Sequence, residues 1–360
     1  MKSGHLYYAS DKAVYDALVQ HNFKNSDVRE IFLSRGILIS DDTPREDVAH
    51  YFSMLNHDYY DHQKIAGIFF GATRKERTAL TKISASFDKE KLDYVAHELK
   101  RNLESEGAKV ECKWAGKNYE IHIKYEDYNS NKSEFKQTVE KEAVIEIEAG
   151  GEGFLVRYPN NKFVSEAKDR LLDVMSKQMP EQSSLVVDEI SLKVLVSSGV
   201  RTDFFKKLLT SLSGYKPVDV SDVYVYNPKI KNSDTDVGIH ITKVSLKGEG
   251  VLSSVELDGL FKTGFYITRM VWTCIAQNDQ SDIYELDAQF NNLDDCEGFS
   301  YVVRGVFKYN GKGGHNKTKT ACDPLPDKKM LRLLESAAHK ALQEVKGGDV
   351  ALKEVEGEIA

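Results

Sequence analysis

The chain has 360 residues, 41% hydrophobic and 29% charged, enough for two domains or one large core with a small appendage. Its formal charge of −7 excludes a global field that draws in nucleic acid, so any such binding falls to local patches. Four cysteines (Cys112, Cys274, Cys296, Cys322) stand far apart without a C-x-x-C pair, and neither a signal peptide nor an apolar run of membrane-spanning length is seen. These traits predict a cytoplasmic chain with reduced thiols, no zinc site and no membrane span.

Asp11 to His21 places Ala13, Val14, Ala17 and Leu18 on one side and predicts a first helix. Val28, Ile31 and Phe32 recur at helical spacing, and Gly36 supplies the stop. Ile37 to Ile39 then reads as an extended link. In Thr43-Pro44-Arg45-Glu46 the threonine caps a second helix, the proline suits its first turn, and the glutamate reaches back to the cap. Val48, Tyr51, Phe52 and Leu55 follow as one apolar stripe. This layout, with its Leu33-Ser34-Arg35-Gly36-Ile37 turn and Arg45 opening the second helix, resembles the helix-extended-loop-helix group that includes SAP modules. The resemblance implies DNA binding, with helix N-termini, Arg35 and Arg45 against phosphates. The chain departs from that family at Asp41, Asp42, Glu46 and Asp47, where a DNA face would carry lysines. A helical docking module with solvated arginines is the other reading of the same residues.

His57, Asp58, Asp61 and His62 are metal-ligand types, but they do not share one helical face, so they predict the polar start of a third helix ending near Gly71. Arg74, Lys75 and Arg77 form the most concentrated basic patch near the module and extend a candidate phosphate-contacting surface. The module is therefore set at 1–75, and an α+β body at 79–345.

The body opens with a strand, Ala79 to Ala85, and a long helix with Leu92, Val95, Ala96, Leu99 and Leu103 inward. Hairpins follow at Lys109–Trp114 with Tyr119–Tyr125 and at Ala143–Glu148 with Gly153–Tyr158, around a polar loop from Tyr128 to Glu134. Then come a helix (Lys162 to Gln178), a strand (Leu185 to Val196), a helix (Asp203 to Leu212) and a strand (Val218 to Tyr226). Four more strands are expected at Ile239–Leu246, Phe265–Ala276, Ile283–Phe290 and Phe299–Tyr309, and a last helix from Asp327 to Val345. The pattern predicts a mixed, largely antiparallel sheet with helices packed on it. Residues 346–360 read as a short acidic, disordered tail.

Nuclease sites of the PD-(D/E)xK type need an acid, then an acid and a lysine two apart on a strand. Glu111-Cys112-Lys113 is the best match, but its upstream acid, Asp93, falls on a helix. Glu134-Phe135-Lys136 gives the same bare pattern in a loop. The glycine runs at Gly150-Gly151 and Gly311-Lys312-Gly313-Gly314 lack the spacing of a phosphate loop. Tyr7, Tyr8, Tyr51, Tyr59 and Tyr60 are candidates for stacking on bases. No cofactor, metal or catalytic residue is assigned. The reading is a non-catalytic, DNA-associated subunit of a protein complex, the module contacting DNA or a protein partner. The whole chain also resembles accessory proteins encoded beside nucleases in two-gene bacterial anti-phage defence systems, which implies a nuclease partner. The alternative is a divergent metal-dependent nuclease.

Overall fold

The computed structural model describes residues 9–21, 23–70, 75–85, 87–150, 153–179, 185–228, 241–277 and 280–358. Two compact units divide the chain. Unit 1 comprises Met1–Arg74, Lys100–Glu111 and His122–Ala143, and unit 2 comprises Lys75–Leu99, Cys112–Ile121 and Val144–Ala360. The N-terminal module is thus not closed by its own sequence, as the 1–75 boundary implied.

In unit 1 four helices lead: α1 (Asp11–Val19), α2 (Asn25–Leu33), α3 (Arg45–Ser53) and α4 (Tyr59–Phe70). Ser10 caps α1 by accepting the Ala13 amide at 3.3 Å, and Asp27 accepts the Lys24 amide at the start of α2. Val14, Leu18, Ile31, Phe32 and Phe52 meet in one core, each at most 3% exposed. The α2 stop is as expected: Gly36 has φ +72°, Ile37 N–H donates to Phe32 O (3.1 Å) and Gly36 N–H to Leu33 O (2.9 Å). That pair of bonds is a Schellman closure, and only glycine takes the left-handed position without a Cβ clash. The second helix differs from expectation at its entry. Pro44, not Thr43, is the cap residue, and no side chain bonds the free amides. The register of its buried face differs too, with Ala49 and Ser53 joining Val48 and Phe52 while Tyr51 is exposed. The polar loop at 128–134 leads into a 3-10 turn, Glu134–Lys136, whose Phe135 is buried in the same core.

The remaining elements are β1 (Thr78–Ser84), α5 (Lys89–Ser105), β2 (Lys109–Ala115), β3 (Asn118–Tyr128), β4 (Thr138–Gly150), β5 (Gly153–Pro159), α6 (Lys162–Lys177), β6 (Val186–Glu189), α7 (Ser198–Thr210), β7 (Tyr215–Tyr226), β8 (Lys243–Lys247), α8 (Val255–Lys262), β9 (Tyr266–Ala276), β10 (Ile283–Asn292), β11 (Glu297–Phe307) and α9 (Pro324–Glu358). Among the described residues the eleven strands form one sheet in the order β2-β3-β4-β5-β1-β11-β10-β9-β7-β8, with β6 paired to β1. The β4–β5, β5–β1, β1–β11, β11–β10, β10–β9, β9–β7 and β7–β8 pairings are all antiparallel. The chain is therefore α+β, as the pattern predicts.

Period-two alternation divides the strands of unit 2 into two faces. Met270, Trp272 and Cys274 of β9, Leu286, Ala288 and Phe290 of β10, and Tyr301 and Val303 of β11 form the core against α7 and α9. Their in-between neighbours, including Arg269, Asp287 and Arg304, project from the opposite face. At the β5 start Gly153 lies so close to β1 that a Cβ would meet the Ile83 carbonyl, so no larger residue fits there.

Three expectations are corrected here. The apolar run Leu185–Val196 is a strand only at Val186–Glu189. Beyond it Ile190, Leu192 and Leu195 turn into the core, Leu192 N–H donating to Cys296 O at 3.0 Å, so burial rather than pairing explains their apolarity. The helix α8 was not anticipated between the strands. Finally, α9 continues to Glu358 instead of yielding a disordered tail: two glycines cost about 1 kcal/mol each in a helix, but Ala351, Leu352, Lys353 and Glu354 beyond them are strong helix formers.

Candidate functional site

The two arginines that the module offers for phosphates are both engaged inside it. Arg45, at the first position of α3, reaches back over the end of α1. Its Nε donates to Leu18 O (2.7 Å), Nη1 to Asn25 Oδ1 (3.1 Å), and Nη2 to the Gln20 (3.2 Å) and Phe23 carbonyls. One guanidinium thus satisfies carbonyls that the end of α1 leaves without intrahelical donors. Arg35 ion-pairs with Asp61, donates to Asn56 O at 2.6 Å, and stacks on the Phe52 ring at 5.1 Å. Asp58 and Asp61 exchange bonds at the start of α4, Asp58 accepting the Asp61 amide and Asp61 accepting the Asp58 amide. The His57 ring rests 4.9 Å from Phe52, and burial followed by the Arg35 charge lowers its pKa. His62 packs on Phe135, and its pKa is likewise lowered by burial.

Between the Ile37 link and the start of α4 lies a groove of 660 Å³ bordered by Arg35, Ile37, Leu55, His57, Tyr60 and Lys64. Large apolar side chains from the same segments stand in solvent: Leu33, Leu38 (86% exposed), Tyr51, Met54, Tyr59 and Tyr60 (73%). The surface around them is acidic rather than basic. From residue 9 to 70 there are ten aspartates and glutamates and six lysines and arginines.

Arg74, Tyr7 and Tyr8 lie outside the described residues. Lys75 pairs with Asp327 at the start of α9, and Arg77, just before β1, pairs with Asp287 of β10. Among the residues singled out for nucleic acid, Arg35 and Arg45 share unit 1, while Lys75 and Arg77 belong to unit 2.

Arg77 leads to a cluster that sequence patterns did not disclose. Asp287 is 1% exposed, yet three guanidiniums converge on it. Arg269 donates through Nε (3.0 Å) and Nη2 (2.8 Å) and lies over the Tyr224 ring at 4.5 Å. Arg304 is looser, with Nε 3.4 Å from Glu285 and 3.9 Å from Asp287, and Nη1 3.7 Å from Asp222. The side chains of Arg77, Arg269 and Arg304 are 18%, 21% and 26% exposed. Beside them a groove of 460 Å³ runs past Tyr224, Lys243, Ser245, Gln289 and Asn291. The only local sequence hint is polar residues spaced two apart in apolar strands.

A second buried network joins β4, β5, β11 and α9. Glu335 accepts from Arg157 Nε at 2.8 Å and from the Tyr301 hydroxyl at 2.6 Å, Arg157 also reaches Glu148 at 2.5 Å, and Arg332 binds Glu146 at 2.6 Å. Burial pushes the Glu335 carboxyl up to about 7, against the pull of Tyr301 and Arg332.

The nuclease-like residues do not assemble. Glu111 and Lys113 stand exposed on β2, while Asp93, on α5, hydrogen-bonds Tyr119. The second match is structural: Glu134 accepts the Ser10 amide at 2.9 Å and Phe135 fills the module core. Among the described residues no three His, Cys, Asp or Glu side chains group as metal ligands. All four cysteines are free thiols, and burial raises Cys274 and Cys296 to about 12. Among the described residues no helix is long and apolar enough to cross a membrane. No protein-family model matches the chain, and no curated protein is similar enough in sequence to serve as a relative.

Proposed function

We propose that the chain is a non-catalytic subunit that docks a protein partner through its N-terminal module. The observation that carries this reading is the pairing of outward apolar side chains with inward arginines. Arg35 and Arg45 stitch the module together, whereas Leu33, Leu38, Tyr51, Met54 and Tyr60 face water, and Tyr60 with Ile37 and Leu55 borders the 660 Å³ groove. Exposed apolar and aromatic groups flanking a groove are characteristic of protein contact, with tyrosine prominent in interface cores. The acidic surroundings suit a partner that presents basic residues around an apolar centre.

The reading accords with the resemblance to accessory subunits of anti-phage systems and keeps a nuclease as the expected partner. A DNA contact by the module's own arginines is less favoured, because each would have to release backbone carbonyls first. The test is purification from the native gene neighbourhood, followed by size-exclusion chromatography with the neighbouring gene product. Wild type should co-elute with it, and a Leu38→Asp, Tyr60→Asp double variant should not. Undiminished co-elution of that variant refutes docking through this surface.

A further inference from the structure

We propose that the Arg77, Arg269, Arg304 face of unit 2 binds a phosphorylated nucleotide, its phosphate on the guanidinium cluster and its base in the adjoining groove. The charge count favours an anion. Arg77, Arg269, Arg304, Lys247 and Lys319 face three carboxylates, Asp222, Glu285 and Asp287, in a chain whose net charge is −7. The excess is also ordered in advance. Asp287, buried beneath the arginines, fixes Arg269 through two bonds of 3.0 and 2.8 Å, so less side-chain freedom is lost when a ligand arrives.

The acceptors already present leave room for competition. Arg304 holds its carboxylates only at 3.4 to 3.9 Å, beyond good hydrogen-bonding distance, so an oxyanion that comes closer displaces weak contacts. The core helices α7 and α9 pack on the other face of these strands; on the arginine side Val271 and Val302 are buried while the three guanidinium side chains keep partial exposure to solvent.

The neighbouring groove supplies what a base needs. Its 460 Å³ falls within the range of small-ligand sites. Gln289 and Asn291, in contact at 3.1 Å, carry amide donors and acceptors suited to a heteroaromatic edge, and Ser245 and Lys243 stand opposite. Tyr224 contributes an aromatic ring, already backed by Arg269. Basic and aromatic side chains on the face of an antiparallel sheet are a recurrent platform for single strands. The same chemistry arises from a free nucleotide or from one link of a single strand.

Fluorescence anisotropy of a labelled oligothymidylate with the full chain, titrated with salt and competed with unlabelled AMP, tests the proposal. Wild type should bind the oligonucleotide. The exposed charge reversal Lys243→Glu should weaken binding about tenfold and flatten the log–log salt slope by about one. Arg269→Lys, which keeps the charge but loses the fork, should also weaken it. Competition by AMP assigns the site to a free nucleotide, and its failure to compete assigns it to a strand; either supports the proposal. No binding of oligonucleotide or AMP at low salt, or Lys243→Glu binding as wild type, overturns it. So does displacement of the oligonucleotide by polyglutamate as readily as by unlabelled oligonucleotide, which marks the face as an acidic-peptide site.

Discussion

In unit 1 Arg35 and Arg45 end on backbone carbonyls and on Asp61, whose side chain is 11% exposed, whereas in unit 2 Arg77, Arg269 and Arg304 share one carboxylate closed off from water. The same side chain thus does two jobs. In the module it replaces the missing hydrogen-bond partners of short helices and, at Arg35, pairs with one largely buried aspartate. In the sheet it compensates a charge that could not be buried alone. Loss of an arginine from the first arrangement leaves carbonyls that water can reach. Loss of the carboxylate from the second leaves three cations repelling one another.

The largest effect should therefore come from Asp287→Ala, which leaves partly buried guanidiniums uncompensated. Destabilisation of about 3–5 kcal/mol is expected in urea unfolding followed by tryptophan fluorescence, Trp272 being buried on the other face of the same strands. A loss below about 1 kcal/mol would contradict a compensating role for this carboxylate.

A pH titration comes next and needs no substitution. Burial lowers the pKa values of His57 and His62 in unit 1 below 6.5, so their contribution is present above that value and is lost as pH falls through the lowered folded pKa values. Glu335 in unit 2 is raised from 4.5 to about 7, so its contribution is full below 4.5 and is lost as pH rises through 7. His339, also lowered by burial, opposes this within unit 2. Hydrogen exchange resolved by segment should show α1 to α4 losing protection between pH 7 and pH 5. Over the same range Glu335→Gln should remove a gain in the α9 segment that wild type shows. Identical pH profiles in both units would erase the contrast.

Arg45→Ala should cost about 2 kcal/mol, a charged hydrogen-bond contribution discounted for partial exposure. Its mark should be local: faster amide exchange in α1 and the α1–α2 turn, with β9 to β11 unaltered. If the sheet strands lose protection equally, the two units do not respond separately. Gly36→Ala, which forces a Cβ into φ +72° with nothing else in the way, should cost about 1 kcal/mol by thermal melting. Lys12→Ala breaks an exposed i,i+4 pair with Asp16 and should leave the melting temperature unchanged, which calibrates the series.

The parts of this architecture that are local were legible in the chain. Val28, Ile31 and Phe32 recur at helical spacing and Gly36 closes the turn, because neighbours along the backbone decide both. The strands β9 and β11 announce themselves as runs rich in apolar and aromatic residues for the same reason. The candidate sites are another matter. Nothing near Arg45 in sequence says that its guanidinium will bind Leu18 O and Phe23 O, more than twenty residues upstream. Arg269, Asp287 and Arg304 come together only once β9, β10 and β11 pair in register. Phe135 sits in a polar stretch that reads as loop, since the groups it packs with lie far along the chain, His62 of α4 being 73 residues upstream. The nuclease-like Glu134-Phe135-Lys136 illustrates the same limit, its glutamate and phenylalanine being explained by contacts with Ser10 and the module core.

The lone phenylalanine of that triplet also sets a timetable. Ser10 and its partner Glu134 are separated by 124 residues, and Phe135 enters the core one residue later. At about 5–20 residues per second a ribosome needs roughly 6 to 25 seconds to make that stretch. Between completion of α4 at Phe70 and Phe135 lie 65 residues, roughly 3 to 13 seconds at that rate, in which the first helices lack the ring that packs on His62. Chaperones that hold apolar surface have those seconds in which to engage the nascent chain, and release should coincide with emergence of the 3-10 turn.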